Sequence, residues 1–254
     1  MKRVLILYFS GVGATEQVAK QIAAGLSAHC QTDVVSVERG CRAGIAGYDA
    51  LVIGTPVYHG APAKRVMDCL KSMPRLEKET PAFVFNTRGL CSLNTNRILA
   101  KALREKNIAT ILDRAYRSPA SDGVLLAPFI KRFYEFEKDL AQKLERDCAR
   151  FLKLLGRGRP RGYIPKFSWG SLVNAPNKAA GQLLTVKIHL HKGRCARCGQ
   201  CVRQCPHRAL SAGKSGYPLF DSKRCENCYR CVHHCPQAAL SLRKRRIHQK
   251  RLQY

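Results

Sequence analysis

The chain has 254 residues, 45% of them apolar, and a formal net charge of +28 from 45 Lys and Arg against 17 Asp and Glu. That much apolar content supports a packed core, while runs such as VLLAPFI at 124–130 are too short to span a bilayer. The opening MKRVLILYF is interrupted at once by polar and glycine residues, so it reads as a buried strand rather than a secretory leader, and the expected compartment is the cytoplasm.

In chain order, VLILYF (4–9) predicts a first strand, and helix 14–27 follows with Val18, Ile22 and Leu26 at four-residue spacing. TDVVSV (32–37), ALVIG (50–54), AFVFN (82–86) and IATIL (108–112) predict four more strands. Intervening helices carry Val66, Leu70 and Met73, then Ile98, Leu99, Ala102 and Leu103. A long amphipathic helix places Phe133, Phe136, Leu140, Leu144, Cys148, Phe151 and Leu155 on one stripe. Five near-continuous apolar strands separated by helices imply an α/β fold, a parallel sheet with helices on both faces.

Ligands of such sheets sit beyond the carboxyl ends of the strands. Three loops are expected to meet there: SGVGAT after the first strand, TPVYHG (55–60) after the third and NTRGLC (86–91) after the fourth. The first is not a dinucleotide loop. Gly11, Gly13 and Glu16 occupy the three glycine positions of GxGxxG, and a carboxylate there would repel a pyrophosphate. No Lys-Ser/Thr pair follows Gly13 to make a triphosphate loop. Hydroxyls at both ends, Ser10 and Thr15, suit one phosphate monoester held also by the free N–H groups of the next helix. Taken alone, the loop fits an ordinary capped strand-to-helix turn as well.

Charge divides the chain. Residues 1–147 hold 22 Lys/Arg and 15 Asp/Glu; residues 148–254 hold 23 and 2, with no acid between Asp147 and Asp221. A boundary is expected after the helix ending near Leu155. Residues 156–184, rich in Gly, Pro and Arg, read as a linker that Tyr163, Phe167 and Trp169 could order. TVKIHL (185–190) and GYPLFD (216–221) read as strands leading into two cysteine motifs.

Those motifs carry the strongest signal. RCARCGQCVRQCPHRALS (194–211) recurs 30 residues on as RCENCYRCVHHCPQAALS (224–241), identical at ten of eighteen positions. Each copy is C-x2-C-x2-C-x3-C-P. Three thiolates at this spacing wrap a cubane cluster, and the fourth is directed to the other cluster. Cys195, Cys198, Cys201 and Cys235 are expected to hold one [4Fe–4S] cluster, and Cys225, Cys228, Cys231 and Cys205 the second. Zinc ribbons place two ligands per knuckle, which this repeat does not match. Pro206 and Pro236 fix the backbone after the crossing cysteines. Val202, Leu210, Val232 and Leu240 recur in both copies and would exclude water.

The cysteine repeat resembles bacterial two-cluster ferredoxins, a small α+β domain. Residues 1–155 resemble a flavodoxin: FSGVGATEQVAK is similar to the phosphate loop for flavin mononucleotide (FMN), GTPVYHGAPAK to the second flavin loop and NTRGL to the third. The whole chain resembles flavodoxin–ferredoxin fusion proteins. The resemblance implies domains at 1–155 and 185–242, the linker 156–184 and a basic tail 243–254. It implies an FMN phosphate held by Ser10, Gly11, Gly13, Ala14 and Thr15. Pro56, Tyr58 and His59 would flank the ring, with Tyr58 the stacking candidate. Asn86, Thr87, Arg88 and Gly89 would meet the pyrimidine edge and ribityl chain. Val12 departs from the family pattern by removing a hydroxyl from the middle of the phosphate loop.

Arg88 either stabilises reduced flavin or points to solvent. Cys30, Cys41, Cys69, Cys91 and Cys148 read as packing residues, and His233 and His234 as bystanders of a cluster whose ligands are already supplied. The tail, with six Lys/Arg and one His, would dock an acidic redox protein, ahead of an anionic membrane surface or a nucleic acid. The expected function is electron transfer between the clusters, FMN and a redox partner; the alternative is a terminal FMN-dependent reductase of a small molecule. No NAD(P) fingerprint is present.

Overall fold

The computed structural model describes residues 1–41, 45–127, 129–158, 161–173, 188–242, 244 and 251–252. They form two units. One comprises Met1–Ser10, Ala14–Ser118 and Phe136–Val173; the other comprises Gly11–Gly13, Pro119–Glu135 and the described part of Asn174–Tyr254.

The first unit is a doubly covered sheet. Its parallel strands are β1 (Lys2–Tyr8), β2 (Cys30–Ser36), β3 (Ala50–Tyr58), β5 (Thr80–Arg88) and β6 (Ile108–Arg117), in the order β2-β1-β3-β5-β6. A two-residue strand, β4 (Ala61–Pro62), folds back antiparallel on the end of β3. The helices are α1 (Ala14–Leu26), α2 (Lys64–Ser72), α3 (Thr95–Glu105) and the long helix Leu140–Gly156.

Alternation along β1 shows why both faces are dry. Val4, Ile6 and Tyr8 enter one core with Val18, Ile22 and Leu26 of α1 and Leu144, Cys148 and Phe151 of the long helix. Leu5, Leu7 and Phe9 enter the other with Val66 and Leu70 of α2 and Leu99 and Leu103 of α3. A continuous apolar strand is what a period of two demands when both faces are covered. Gly25 lets α1 approach the long helix: a Cβ there would stand 2.9 Å from Cys148 Sγ. Burial pushes the Cys148 thiol up to about 11.

Two features differ from expectation. The long helix begins at Leu140, so Phe133 and Phe136 are not on its stripe. Glu137 is tied instead to the end of β6, donating its N–H to the Arg117 carbonyl and accepting the Arg117 N–H on Oε1. That pairing holds the chain out of helix despite the helical spacing of its apolar residues. Cys41 and Cys69, expected only to pack, are joined as a disulfide with Cα atoms 5.4 Å apart.

Residues 161–173, read as linker, run against the first unit. Tyr163 donates its N–H to Thr110 of β6 and its hydroxyl to Asp113 at 2.5 Å. Arg97 of α3 binds the Pro165 carbonyl at 2.7 Å and lies over the Phe167 ring. Phe167 meets Trp169 edge-on, and Trp169 stays 74% exposed.

The second unit repeats itself as its sequence does. Leu210–Ala212 pairs antiparallel with Pro218–Phe220, and Leu240–Ser241 with His189–Leu190. The first four residues of the strand TVKIHL apart from Ile188 lie outside the described residues. Short helices Gln200–Arg203 and Arg230–His233 follow the second cysteine of each motif. Positive φ recurs at the same offset: Arg197 and Asn227, Gly199 and Tyr229, Arg208 and Ala238. Left-handed residues curl a loop tightly, turning successive cysteines to one side. An apolar cluster of Val12, Val124, Leu125, Leu210, Tyr229 and Val232 fills the unit.

Candidate cofactor sites

In the cysteine repeat, Cys195, Cys198, Cys201 and Cys235 line one cavity of about 170 Å³, with Leu190 and Leu240 among its apolar walls. Three of these cysteines come from the first motif and one from the second. Burial pushes the Cys201 thiol up, and its neighbours Cys235 and Cys195 add to the effect. In the other motif burial pushes Cys228 up to about 12, with Cys225 and Cys205 adding. Cys231 is raised well above the usual thiol range by burial and by Cys228, Cys225 and Cys205.

Crowded buried thiols cannot all ionise against one another without a positive centre, and coordination to iron supplies one. Among the described residues no three His, Cys, Asp or Glu close on a single metal-ion position. Backbone N–H groups already face the sulfurs: Ala209 N–H donates to Cys205 Sγ at 3.2 Å and Ala239 N–H to Cys235 Sγ at 3.3 Å. The two bonds sit at equivalent positions of the repeat. The donor set therefore fits iron–sulfur clusters.

The two motifs differ in exposure. Cys198 is exposed, whereas its counterpart Cys228 is 7% exposed and Cys231 is 9%. The difference begins where the repeat breaks: Tyr229 and Arg230 replace Gly199 and Gln200. Tyr229 is buried in the apolar cluster with Val12 and Val232. Arg230 donates through Nε to the Gly11 carbonyl at 2.8 Å and through Nη1 to the Gln204 carbonyl at 3.2 Å. This explains Val12, whose hydroxyl-free side chain is surrounded by apolar groups; a Thr hydroxyl there would need a partner. The Tyr229 and Arg230 contacts escaped sequence reasoning, although the broken repeat was their signal.

His233 is equally committed. Its Nδ1 accepts the Leu252 N–H at 3.0 Å, so Nε2 carries the proton and donates to the Ser121 carbonyl at 2.8 Å. Burial, then Arg230, lowers the His234 pKa. Arg251 donates to the Cys235 carbonyl at 2.8 Å and Leu252 is buried, so these two tail residues are packed rather than solvated. Residues 243, 245–250 and 253–254 of the tail lie outside the described residues.

In the first unit, Thr15 at the start of α1 and Thr87 at the end of β5 share a buried hydroxyl hydrogen bond of 2.7 Å. Ser10, after β1, is buried as well. Glu16 turns to Lys20 at 2.7 Å and, after burial itself, helps push the Tyr8 hydroxyl up to about 12. Two buried hydroxyls at the N-terminus of a helix are a chemistry that fits a phosphate monoester.

The second loop is a tight hairpin. His59 and Gly60 form its turn with φ 49° and 74°, and Tyr58 pairs with Ala61. Gly60 is required there, since a Cβ would come within 2.5 Å of Leu93 Cδ1. Thr55 Oγ1 accepts the Ala63 N–H at 3.0 Å and fixes the hairpin base beside buried Pro56. Tyr58 packs partly against the core, while His59 is exposed. In the third loop Asn86 is fully buried. Its amide donates to Asn96 Oδ1 and accepts from Ser92 Oγ, both at 2.9 Å. It holds the loop, in which Arg88 and Gly89 are half-buried. Arg88 donates through Nη1 to the Leu90 carbonyl at an exposed position.

A flavodoxin-type sheet and a doubled C-x2-C-x2-C-x3-C-P motif define a protein of the electron-transfer class. Family models for a flavodoxin domain and for a 4Fe-4S dicluster domain match residues 5–107 and 194–246. Over 75 residues the chain is 32% identical to the pyruvate synthase subunit PorD of Pyrococcus horikoshii, covering 30% of this chain and 68% of PorD. The chain therefore joins a flavodoxin domain to a 4Fe-4S dicluster domain. Among solved structures, it is similar to rubredoxin oxygen:oxidoreductase of Desulfovibrio gigas, with TM-score 0.44 and 16% identity, covering 61% of this chain and 37% of that one. It is also similar to the two-electron reduced flavodoxin of Megasphaera elsdenii, with TM-score 0.43 and 17% identity, covering 58% and 98%. Among the described residues no helix is long and apolar enough to cross a membrane.

Proposed function

We propose that this protein carries electrons between two [4Fe–4S] clusters, FMN and an acidic redox protein of the cytoplasm. The observation that carries the reading is the cavity walled by Cys195, Cys198, Cys201 and Cys235, because its cysteines come from both repeats. These four would ligate one cluster, and Cys205, Cys225, Cys228 and Cys231 the other. When bound, the clusters supply one-electron transfer and the flavin supplies exchange between one- and two-electron chemistry.

The chain's own part is to bind, shield and tune. Ala209 and Ala239 N–H groups stabilise sulfur charge, and Val232, Leu210 and Leu240 keep water out. Ser10, Gly11, Gly13, Ala14 and Thr15 would hold the FMN phosphate. Thr87 would fix Thr15, and Pro56, Tyr58, His59, Arg88 and Gly89 would border the ring. We place the flavodoxin domain at 1–155, the linker at 156–184, the cluster domain at 185–242 and the tail at 243–254.

The direct test is transfer itself. Protein reduced anaerobically and freed of excess reductant should reoxidise fully on mixing with an oxidised acidic rubredoxin, with the rubredoxin reduced in step. Protein that takes up no electrons, or keeps them in the presence of both this acceptor and a small uncharged quinone, would contradict the reading.

A further inference from the structure

The two cysteine motifs are alike in sequence but not in surroundings. The second is covered: Cys228 and Cys231 are buried, and Tyr229 and Val232 lie in the apolar cluster. The first opens to solvent at Cys198. Electron exchange between proteins needs close approach, so the exposed motif is where a partner can come near.

The surface around it is basic and ordered. Arg197 stacks its guanidinium 4.5 Å from the centre of the Tyr217 ring and donates to the Tyr217 hydroxyl at 3.0 Å. Lys192 approaches the same ring at 5.6 Å. Gly216, with φ 77°, leaves room for Arg197, whose Cδ is 3.2 Å from where a Cβ would stand. Arg203 lies over the cavity-lining Gly199: a Cβ there would be 3.0 Å from Nη1. All three cations belong to exposed residues. No acidic residue occurs between Asp147 and Asp221, so the segment carrying this rim has no carboxylate of its own. Leu219, beside cavity-lining Pro218, is 60% exposed and adds an apolar contact.

We propose that this face, Cys198 ringed by Lys192, Arg197 and Arg203 with Leu219 at its edge, is the docking surface for an acidic redox protein. The assignment rests on the electron-transfer reading and locates its port. Cations held in place at the rim of an exposed redox site steer an acidic partner into a productive orientation. The port is the first motif, and the covered second motif exchanges electrons within the chain.

The test uses holo-protein reduced anaerobically and mixed with oxidised acidic rubredoxin. Arg197→Glu should slow the second-order rate by about tenfold at low salt and flatten its salt dependence. Lys192→Glu with Arg203→Glu, neither in a left-handed position, should do the same and guards against a folding defect in the first variant. Reduction of the uncharged quinone should be unchanged in both. Lys244→Glu should leave the rubredoxin rate as in wild type. Wild-type rates and salt profile in both rim variants would overturn the docking surface while leaving the electron-transfer reading intact. A wild-type protein that reduces neither acceptor would sink both.

Discussion

Replacing Cys235 with alanine should remove the cluster of the first motif and leave that of the second, cutting reconstituted iron from about eight to about four atoms per chain. Cys205→Ala should do the reverse. The spacing already directs Cys235, which closes the second motif, to the cluster of the first, and Cys235 lines one cavity with Cys195, Cys198 and Cys201. Iron analysis after anaerobic reconstitution, with EPR of the reduced protein, distinguishes the outcomes. The signals differ because one site is exposed at Cys198 and the other is buried around Cys228 and Cys231. Retention of both clusters in Cys235→Ala, or loss of the second cluster alone, would show that the ligands do not cross.

Thr15→Ala should weaken FMN binding by about one to two orders of magnitude, because a hydrogen bond to a charged group contributes about 1.5–3 kcal/mol. The same change removes the partner of Thr87 Oγ1, so it loosens the third loop as well. Ser10→Ala should act in the same direction. Riboflavin, which lacks the phosphate, should bind at least about a hundredfold more weakly than FMN, since the helix N-terminus and both hydroxyls lose their anion. Isothermal titration of the flavin-free protein measures all three. Iron content should stay constant throughout, because neither hydroxyl belongs to the cysteine repeat. Equal affinity for riboflavin and FMN would show that the loop does not hold a phosphate.

The sheet was legible because each central strand carries an uninterrupted apolar run, the pattern of a strand covered twice. β1 feeds Val4 and Ile6 to one core and Leu5 and Leu7 to the other. The cysteine repeat was legible because ligation chemistry fixes spacing more tightly than packing does. Sequence failed where a local pattern met a distant partner. Phe133 and Phe136 keep helical spacing with Leu140, but Glu137 pairs with Arg117 and the helix starts later. Val12 looked like a defect in a phosphate loop; its apolar neighbours Tyr229 and Val232 lie more than two hundred residues away in the chain. Tyr163, named from the sequence as able to order the linker, donates its N–H to Thr110 of β6 at 2.8 Å.

Anaerobic reductive titration of holo-protein tests the central claim most directly. If one chain holds two clusters and one FMN, it should accept about four electrons, one per cluster and two for the flavin. The broad iron–sulfur absorption and the flavin bands should both bleach, and both should return on oxidation. Uptake of no electrons by protein supplied with iron, sulfide and FMN, with neither absorption changing, would contradict the account.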